Sequence, residues 1–380
     1  MIENIKNCTG CHACYSICKN GAITMDADKE GFLHPVVDYK KCNKCGECLK
    51  VCPLLKKRKL DKSKNAFAAI NKNYNTRLKS SSGGIFTILA ESIINNSGVV
   101  FGALFDNNFN IKHDYINNIN DVHKLQGSKY VQSTIGNSYK SVEKKLKENK
   151  LVLFSGTPCQ IDGLLSFLKK DYKNLICVDF ICHGVPSPLV WKKYLEEKKR
   201  KYNSKIHKIS FRNKNKGWKD FSIKIIFKNN LEYIKKFRDD AYMKGFLRNL
   251  YLRKSCYNCQ SKGLNRKSDI TLADFWGINN ILPNINDDKG VSLVILNNQK
   301  GMNFYKKLER KIFSYKVNIQ DGIKHNSMAT KSVDKNIERE NFFKEINQQS
   351  MTTLINKYCP PKNISLKQRI KNIIKKLLKY

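Results

Sequence analysis

Cys8, Cys11, Cys14 and Cys18 form a C-x2-C-x2-C-x3-C run, and Cys42, Cys45, Cys48 and Cys52 repeat it. Three thiols at i, i+3 and i+6 can curl around one iron-sulfur cubane while the fourth, on the following helical turn, points to another. The spacing therefore predicts two [4Fe-4S] clusters that exchange a ligand. Cys8, Cys11, Cys14 and Cys52 hold the first, and Cys42, Cys45, Cys48 and Cys18 the second. Between the runs, Ala22 to Met25 and Phe32 to Val37 read as short strands joined by a turn through Asp28 to Gly31. Gly10 and Gly46 lie in the cysteine loops, where the missing Cβ lets backbone N–H groups approach inorganic sulfide. The second run ends Cys52-Pro53 as the pattern expects; the first ends Cys18-Lys19, which relaxes a turn and removes no ligand. A zinc ribbon prefers paired C-x2-C knuckles and fits poorly. Residues 1–57 are thus expected to form an α+β ferredoxin-like 2x[4Fe-4S] module.

The remainder of the 380 residues is long enough to bury its own core. Eight of the 14 cysteines crowd before position 53, and no apolar run reaches the roughly 18 residues of a membrane span. A secretory leader does not fit before Cys8. Such crowding in a reducing compartment means metal, and the expected location is cytoplasmic. The charge of +39, from 71 Lys and Arg against 32 Asp and Glu, suits nucleic acid, an anionic membrane or an acidic redox partner. Nucleic-acid binding rests on charge alone, without a visible basic and aromatic face, and is the weakest of the three.

Lys56 to Asn65 is charged and short of apolar residues, which marks a linker. Beyond it strands and helices alternate. Ala66 to Ile70, Val99 to Phe105, Leu151 to Phe154 and Leu175 to Ile181 read as strands. Ile85 to Ile94, Tyr139 to Glu148 and Ile161 to Leu168 read as helices. This predicts an α/β body with a mixed sheet, in parts 65–148 and 149–320, followed by a basic helical tail, 321–380.

Lys79-Ser80-Ser81-Ser82-Gly83-Gly84 opens a helix and suits a dinucleotide pyrophosphate, although a capped turn would look the same. Gly127, Ser128, Lys129 and Tyr130 make a second small-plus-basic turn. Ser155 to Gln160 follows a strand, and the helix after it should favour thiolate at Cys159. Cys182 ends the next strand beside His183, and Cys256 and Cys259 form a tight pair. Cys159, Cys182, Cys256 and Cys259 can converge on a third cubane; a Cys256/Cys259 redox pair and buried structural thiols are the alternatives. Cys177 and Cys359 look unrelated to metal.

These stretches, with Cys182-His183-Gly184-Val185-Pro186-Ser187-Pro188, Phe211-Arg212, Gly217-Trp218, Asp269 to Gly277 and Gly290 to Val294, resemble the coenzyme F-420 hydrogenase/dehydrogenase beta-subunit family. The resemblance covers about residues 1 to 315. It implies an iron-sulfur flavoprotein oxidoreductase with one FAD, and an electron path from flavin through a body cluster to the ferredoxin module. It places the flavin at Ser81, Ser82, Gly83 and Gly84, at Gly127, Ser128, Lys129 and Tyr130, and at Gly156, Thr157 and Gln160. It also implies an organic substrate or coenzyme and a ferredoxin, deazaflavin or nicotinamide partner. Some relatives accompany surface-polysaccharide genes, and the basic tail places this chain nearer to them. A relay subunit without its own substrate is the alternative. No residue stands out as a proton donor.

Residues 361–380 hold seven Lys or Arg and no acid. Leu366, Ile370, Ile373, Ile374, Leu377 and Leu378 recur at helical spacing. A basic amphipathic helix of this kind can lie on an anionic membrane at the inner face or dock on protein.

Overall fold

The structure is a computed structural model that describes residues 1–56 and 64–360. In the amino-terminal module β1 (Ile23–Ala27) and β2 (Leu33–Val37) pair antiparallel. The turn between them is closed by Asp28, whose Oδ1 accepts the N–H of Glu30 and of Phe32, each at 2.9 Å. Pro35 is tolerated because a two-stranded ribbon leaves one side of each strand unpaired. The short helices Ala13–Ile17 and Glu47–Lys50 follow the cysteine loops and are entered through left-handed residues, His12 (φ 63°) and Gly46 (φ 73°).

The body strands are β3 (Asn65–Asn71), β4 (Val99–Phe105), β5 (Ile111–Ile116), β6 (Val152–Ser155) and β7 (Leu175–Phe180). They continue with β8 (Ile206–Asn213), β9 (Ser222–Phe227), β10 (Glu232–Lys236), β11 (Ile270–Asp274), β12 (Ser292–Leu296) and β13 (Ile312–Val317). An eight-stranded mixed sheet has the order β13-β3-β12-β11-β7-β6-β4-β5. Its centre, β11-β7-β6-β4, is parallel, while β12, β13 and β5 run the other way. Val152, Leu153 and Phe154 of β6 are fully buried, as strands covered on both faces must be. The helix Ile85–Asn95 packs on one face, and the helices Ser138–Lys147 and Pro158–Leu168 pack on the other.

The two expected parts of the body share one sheet. β3 lies between β12 and β13, and β4 lies beside β6, so residues 65–148 and 149–320 build one sheet. A second, three-stranded sheet, β10-β9-β8, carries a large aromatic core with the helices Pro188–Tyr202 and Ala241–Leu247. Residues assigned to the tail also enter that core. Phe342, Met351, Leu354 and Ile355 are buried, and the spacing of the last three turns one face of the helix Met351–Tyr358 inward. The amphipathic segment predicted over 361–380 lies outside the described residues. Among the described residues no helix is long and apolar enough to cross a membrane.

The ferredoxin module is fastened to this body by apolar contact and by buried charge. Ala13 and Val51 join the core formed by Ile161, Leu164 and Leu168. Gly163 brings the helix Pro158–Leu168 against the first cysteine run: a Cβ there would stand 2.9 Å from Cys11 Cβ and 2.8 Å from the Tyr139 hydroxyl. Glu30, at the hairpin turn, accepts a two-pronged hydrogen bond from Arg339, whose guanidinium is fully buried and also donates to Leu252 O. Removing one partner of such a pair strands the other charge in a dry site. Glu30→Ala or Arg339→Ala should cost about 3–5 kcal/mol, whereas a Glu30→Leu, Arg339→Met double variant should cost much less. Denaturant unfolding of the three proteins checks this order.

Candidate iron-sulfur and flavin sites

The two thiol sets with the strongest geometry lie on either side of one residue. Cys8, Cys11, Cys14 and Cys52 line a single cavity floored by Ile2, Met25, Pro35 and Leu54. This is the ligand set expected for the first cluster, with Cys52 arriving from the second run. Cys159, Cys182, Cys256 and Cys259 line another cavity, with His183, Lys262 and Arg266 in its wall. Thr9 belongs to both. Of the second ferredoxin set, Cys18 and Cys48 share an apolar cluster, Cys42 and Cys45 act on Cys48, and Cys45 is exposed.

Topology explains the body cavity. Cys159 follows β6 and Cys182 follows β7, and these neighbours are parallel, so their carboxyl ends lie side by side. A bridge between Pro186 and Leu252 then brings Cys256 and Cys259 to the same edge. Ligands of open α/β sheets bind at such strand ends. Burial opposes the thiolate expected at Cys159. Its thiol is pushed up to about 12 by burial, with Cys259 beside it, and burial takes Cys182 and Cys256 to about 12 as well. Desolvation outweighs the helix dipole.

The donor sets fit a cubane better than an ion. Among the described residues no three His, Cys, Asp or Glu side chains converge on a single-ion site. Zinc, about 2.3 Å from each sulfur, would demand that convergence. Four thiols around a small apolar cavity suit a group with its own volume.

The first two loops expected to hold flavin meet. Ser81 Oγ accepts the N–H of Ser128 at 2.7 Å and bonds its hydroxyl at 2.8 Å. Gly127 is left-handed (φ 83°), with open space where a side chain would project. The Lys129 ammonium is held by three main-chain carbonyls, of Leu125, Gln126 and Gly127, and burial holds it down at about 8. A half-buried cation with no carboxylate partner among the described residues, beside an open glycine turn, fits an anionic group such as a pyrophosphate. Ser82 and Gly83 are occupied in joining the loop to β12, through Val291 O and Ser292 Oγ. Gly84 is left-handed (φ 83°) and starts the helix Ile85–Asn95.

The third loop behaves differently. Thr157 and Gln160 cap the helix Pro158–Leu168 reciprocally, and Gln160 Nε2 donates to Ser133 Oγ at 3.0 Å. Gly156 N donates to Val178 O. Their polar ends are consumed by the fold, and Thr157 Oγ1 otherwise meets Cys159 Sγ at 3.1 Å. An aromatic path connects the other two loops with the body cavity: the Tyr130 and Phe246 rings are 5.0 Å apart, and Phe246 and His183 4.9 Å.

Several residues around these sites carry no readable motif. Arg253, fully buried, donates to Cys8 O and Leu33 O. Lys214 donates to Ser82 O and is pushed down to about 7, chiefly by burial and then by Arg212. Arg212 pairs with Asp274 and donates to Ser81 O and the Tyr130 hydroxyl. Only Arg212 and Asp274 lie within stretches that the sequence singled out.

Residues 149–321 match the carboxy-terminal region of the coenzyme F420 hydrogenase/dehydrogenase beta subunit, and residues 7–54 match a 4Fe-4S dicluster domain. The chain is therefore similar, over residues 149–321, to the F420 hydrogenase/dehydrogenase beta-subunit family. Its relatives include an uncharacterized protein of Methanocaldococcus jannaschii, 26% identical over 45% of this chain and 55% of that protein. Another is the coenzyme F420-dependent sulfite reductase of the same organism, 28% identical over 41% of this chain and 24% of the relative. The chain thus spans about half the length of the first and a quarter of the second. Among solved structures, a chain of the F420-reducing [NiFe] hydrogenase complex of Methanosarcina barkeri is similar over 66% of this chain and 81% of its own, at 14% identity and a TM-score of 0.44.

Two outcomes follow. Cys159→Ser should remove about four irons per chain while the ferredoxin module keeps its own, which iron and sulfide analysis will show. His113 Nε2–H donates to Ser155 O, Nδ1 of the neutral ring accepts from the Ser133 hydroxyl, and burial holds the imidazole down at about 4. Its folded value lies below its unfolded one, so its stabilisation is complete above about pH 6.5 and is lost as pH falls toward 4. Between pH 7 and pH 5 the loss should be about 2 kcal/mol, and His113→Gln should remove that part of the slope in thermal unfolding.

Proposed function

We propose that this protein is an iron-sulfur flavoprotein oxidoreductase that moves electrons between an FAD in the body, a body cluster and two ferredoxin clusters, and so oxidises or reduces an organic substrate or coenzyme. One observation carries the proposal: the cavity of Cys159, Cys182, Cys256 and Cys259 and the cavity of Cys8, Cys11, Cys14 and Cys52 share Thr9 as a wall. When bound, clusters carry single electrons and a flavin exchanges a hydride with an organic molecule.

The chain's own residues would do the holding and spacing. Ser81, Ser128 and Lys129 would bind the pyrophosphate, with Lys129 supplying charge and Gly127 close backbone approach. Tyr130 and Phe246 would separate that group from His183 in the body cavity without admitting water. Arg212, pinned by Asp274, would fix the loop at Ser81 from behind. The sulfite reductase relative is named as coenzyme F420-dependent and the matched family model as that of a coenzyme F420 hydrogenase/dehydrogenase, which makes a deazaflavin one candidate reaction partner here, beside ferredoxin and nicotinamide.

Anaerobic purification of the full chain should give about twelve irons and one FAD, and the flavin should bleach on adding a hydride donor or reduced ferredoxin. Lys129→Met should lose most of the flavin and keep its iron. Material with all its iron and no flavin would leave a relay subunit in place of the enzyme.

A further inference from the structure

Five arginines are buried among the described residues: Arg77, Arg212, Arg253, Arg266 and Arg339. Four of them face a carboxylate, respectively Asp287, Asp274, Asp179 and Glu30. Arg253 is the exception. Its Nε donates to Cys8 O at 2.8 Å, one terminal nitrogen to Gln132 Oε1 at 3.1 Å, and the other to Leu33 O at 2.9 Å, with His34 Nε2 at 3.3 Å. The ring of Phe32 lies beneath it, 5.4 Å from the guanidinium carbon. None of these partners is a carboxylate, and Asp28 turns to His34. At 2% exposure the guanidinium has no water to spread its charge.

An ionised group in that position is costly unless an opposite charge lies near. The negative groups that the site can offer are thiolates and the clusters they would hold. Arg253 lines the body cavity with Cys159, Cys182, Cys256 and Cys259, and it grips the main chain of Cys8, a wall of the other cavity. It stands between the two.

We infer that Arg253 is a positioning residue that tunes both clusters flanking Thr9, its buried charge stabilising their reduced forms and so raising both reduction potentials. The inference rests on the three-cluster reading above. A reduced cluster carries one more negative charge than an oxidised one, so a fixed cation a short, dry distance away favours the electron. Cys42, Cys45, Cys48 and Cys18, the second ferredoxin set, line neither of these two cavities and Cys45 is exposed, so a cluster there should feel little of this field. Arg253 thereby biases electrons toward the two inner sites.

Redox titration of the anaerobically purified full chain, followed by electron paramagnetic resonance, tests this in three variants. Arg253→Gln should lower the potentials of both inner clusters relative to the outer one by at least tenfold in the exchange equilibrium, about 59 mV for one electron. Arg253→Lys keeps the charge and should change the equilibrium by less than threefold, although it loses the fork of hydrogen bonds. Gln132→Glu places a carboxylate against the unaltered guanidinium, and it should reproduce the Gln shift even if Arg253→Gln fails to load its iron. A purely structural tie would instead make Lys as disruptive as Gln and leave Gln132→Glu without effect, which would overturn the inference. Iron near eight per chain in the unaltered protein would remove the body cluster, and the inference with it, before any potential is read.

Discussion

The contact between the ferredoxin hairpin and the body is the constraint on which the rest depends. Thr9 can serve as a wall for two cavities only if the first cysteine run stays seated on the helix Pro158–Leu168. Apolar contact by Ala13 and Val51 supplies affinity, and the Glu30–Arg339 pair supplies register. A buried ion pair adds little net stability over an apolar pair, because desolvation cancels most of the attraction. Its effect lies in the penalty for partial separation: a displaced hairpin would leave Arg339, which is fully buried, without its two-pronged carboxylate. Ser187 adds a hydrogen bond to Glu30 O, so the turn is held at both side chain and main chain. The module is therefore held in one register on the body, as the proposed electron path requires.

The same interface shows why burial governs the thiols. Cys159 occupies the first turn of a helix, where the dipole favours negative charge by some tenths of a kcal/mol to about 2 kcal/mol. Removing a thiolate from water costs more, and the thiols of the body cavity stay protonated unless a positive group replaces the proton. Metal loading thus supplies the charge that makes the donors ligands, which is why an empty set of this kind behaves as four small apolar side chains.

How much of this was legible in the sequence follows from the range of the interactions. The cysteine runs and the hairpin are local, within about fifty residues, and their spacing already contains the ligand exchange that brings Cys52 to Cys8. The central strands were visible because parallel strands buried on both faces are continuous apolar runs. Helix starts were less clear: the helix expected from Ile161 begins at Pro158, since proline at the first position and the Thr157 cap extend it by a turn. The convergence of Cys182 with Cys256 depends on a bridge between residues 186 and 252, which no spacing rule contains. Arg253 and Arg339 gave no signal for a related reason. An isolated arginine is ordinarily a surface residue, and only the folded chain shows that these two are enclosed. The assignment of residues 321–360 to a tail failed because basic composition masked three inward-facing apolar positions, Met351, Leu354 and Ile355.

Sheet direction ties these pieces together. β3 and the parallel strands β11, β7, β6 and β4 all run one way, so their carboxyl ends share an edge. Asn71 ends β3 beside the loop at Gly83 and Gly84, Asp274 ends β11 beneath Arg212, and Cys182 and Cys159 follow β7 and β6. The loop at Ser81 and the body cavity are therefore products of one topological fact, whereas β8, β9 and β10 supply Arg212 from a separate sheet packed over that edge. Inverting β6 or β7 would move its cysteine to the opposite edge and leave the Thr9 wall without a complete second cavity to divide.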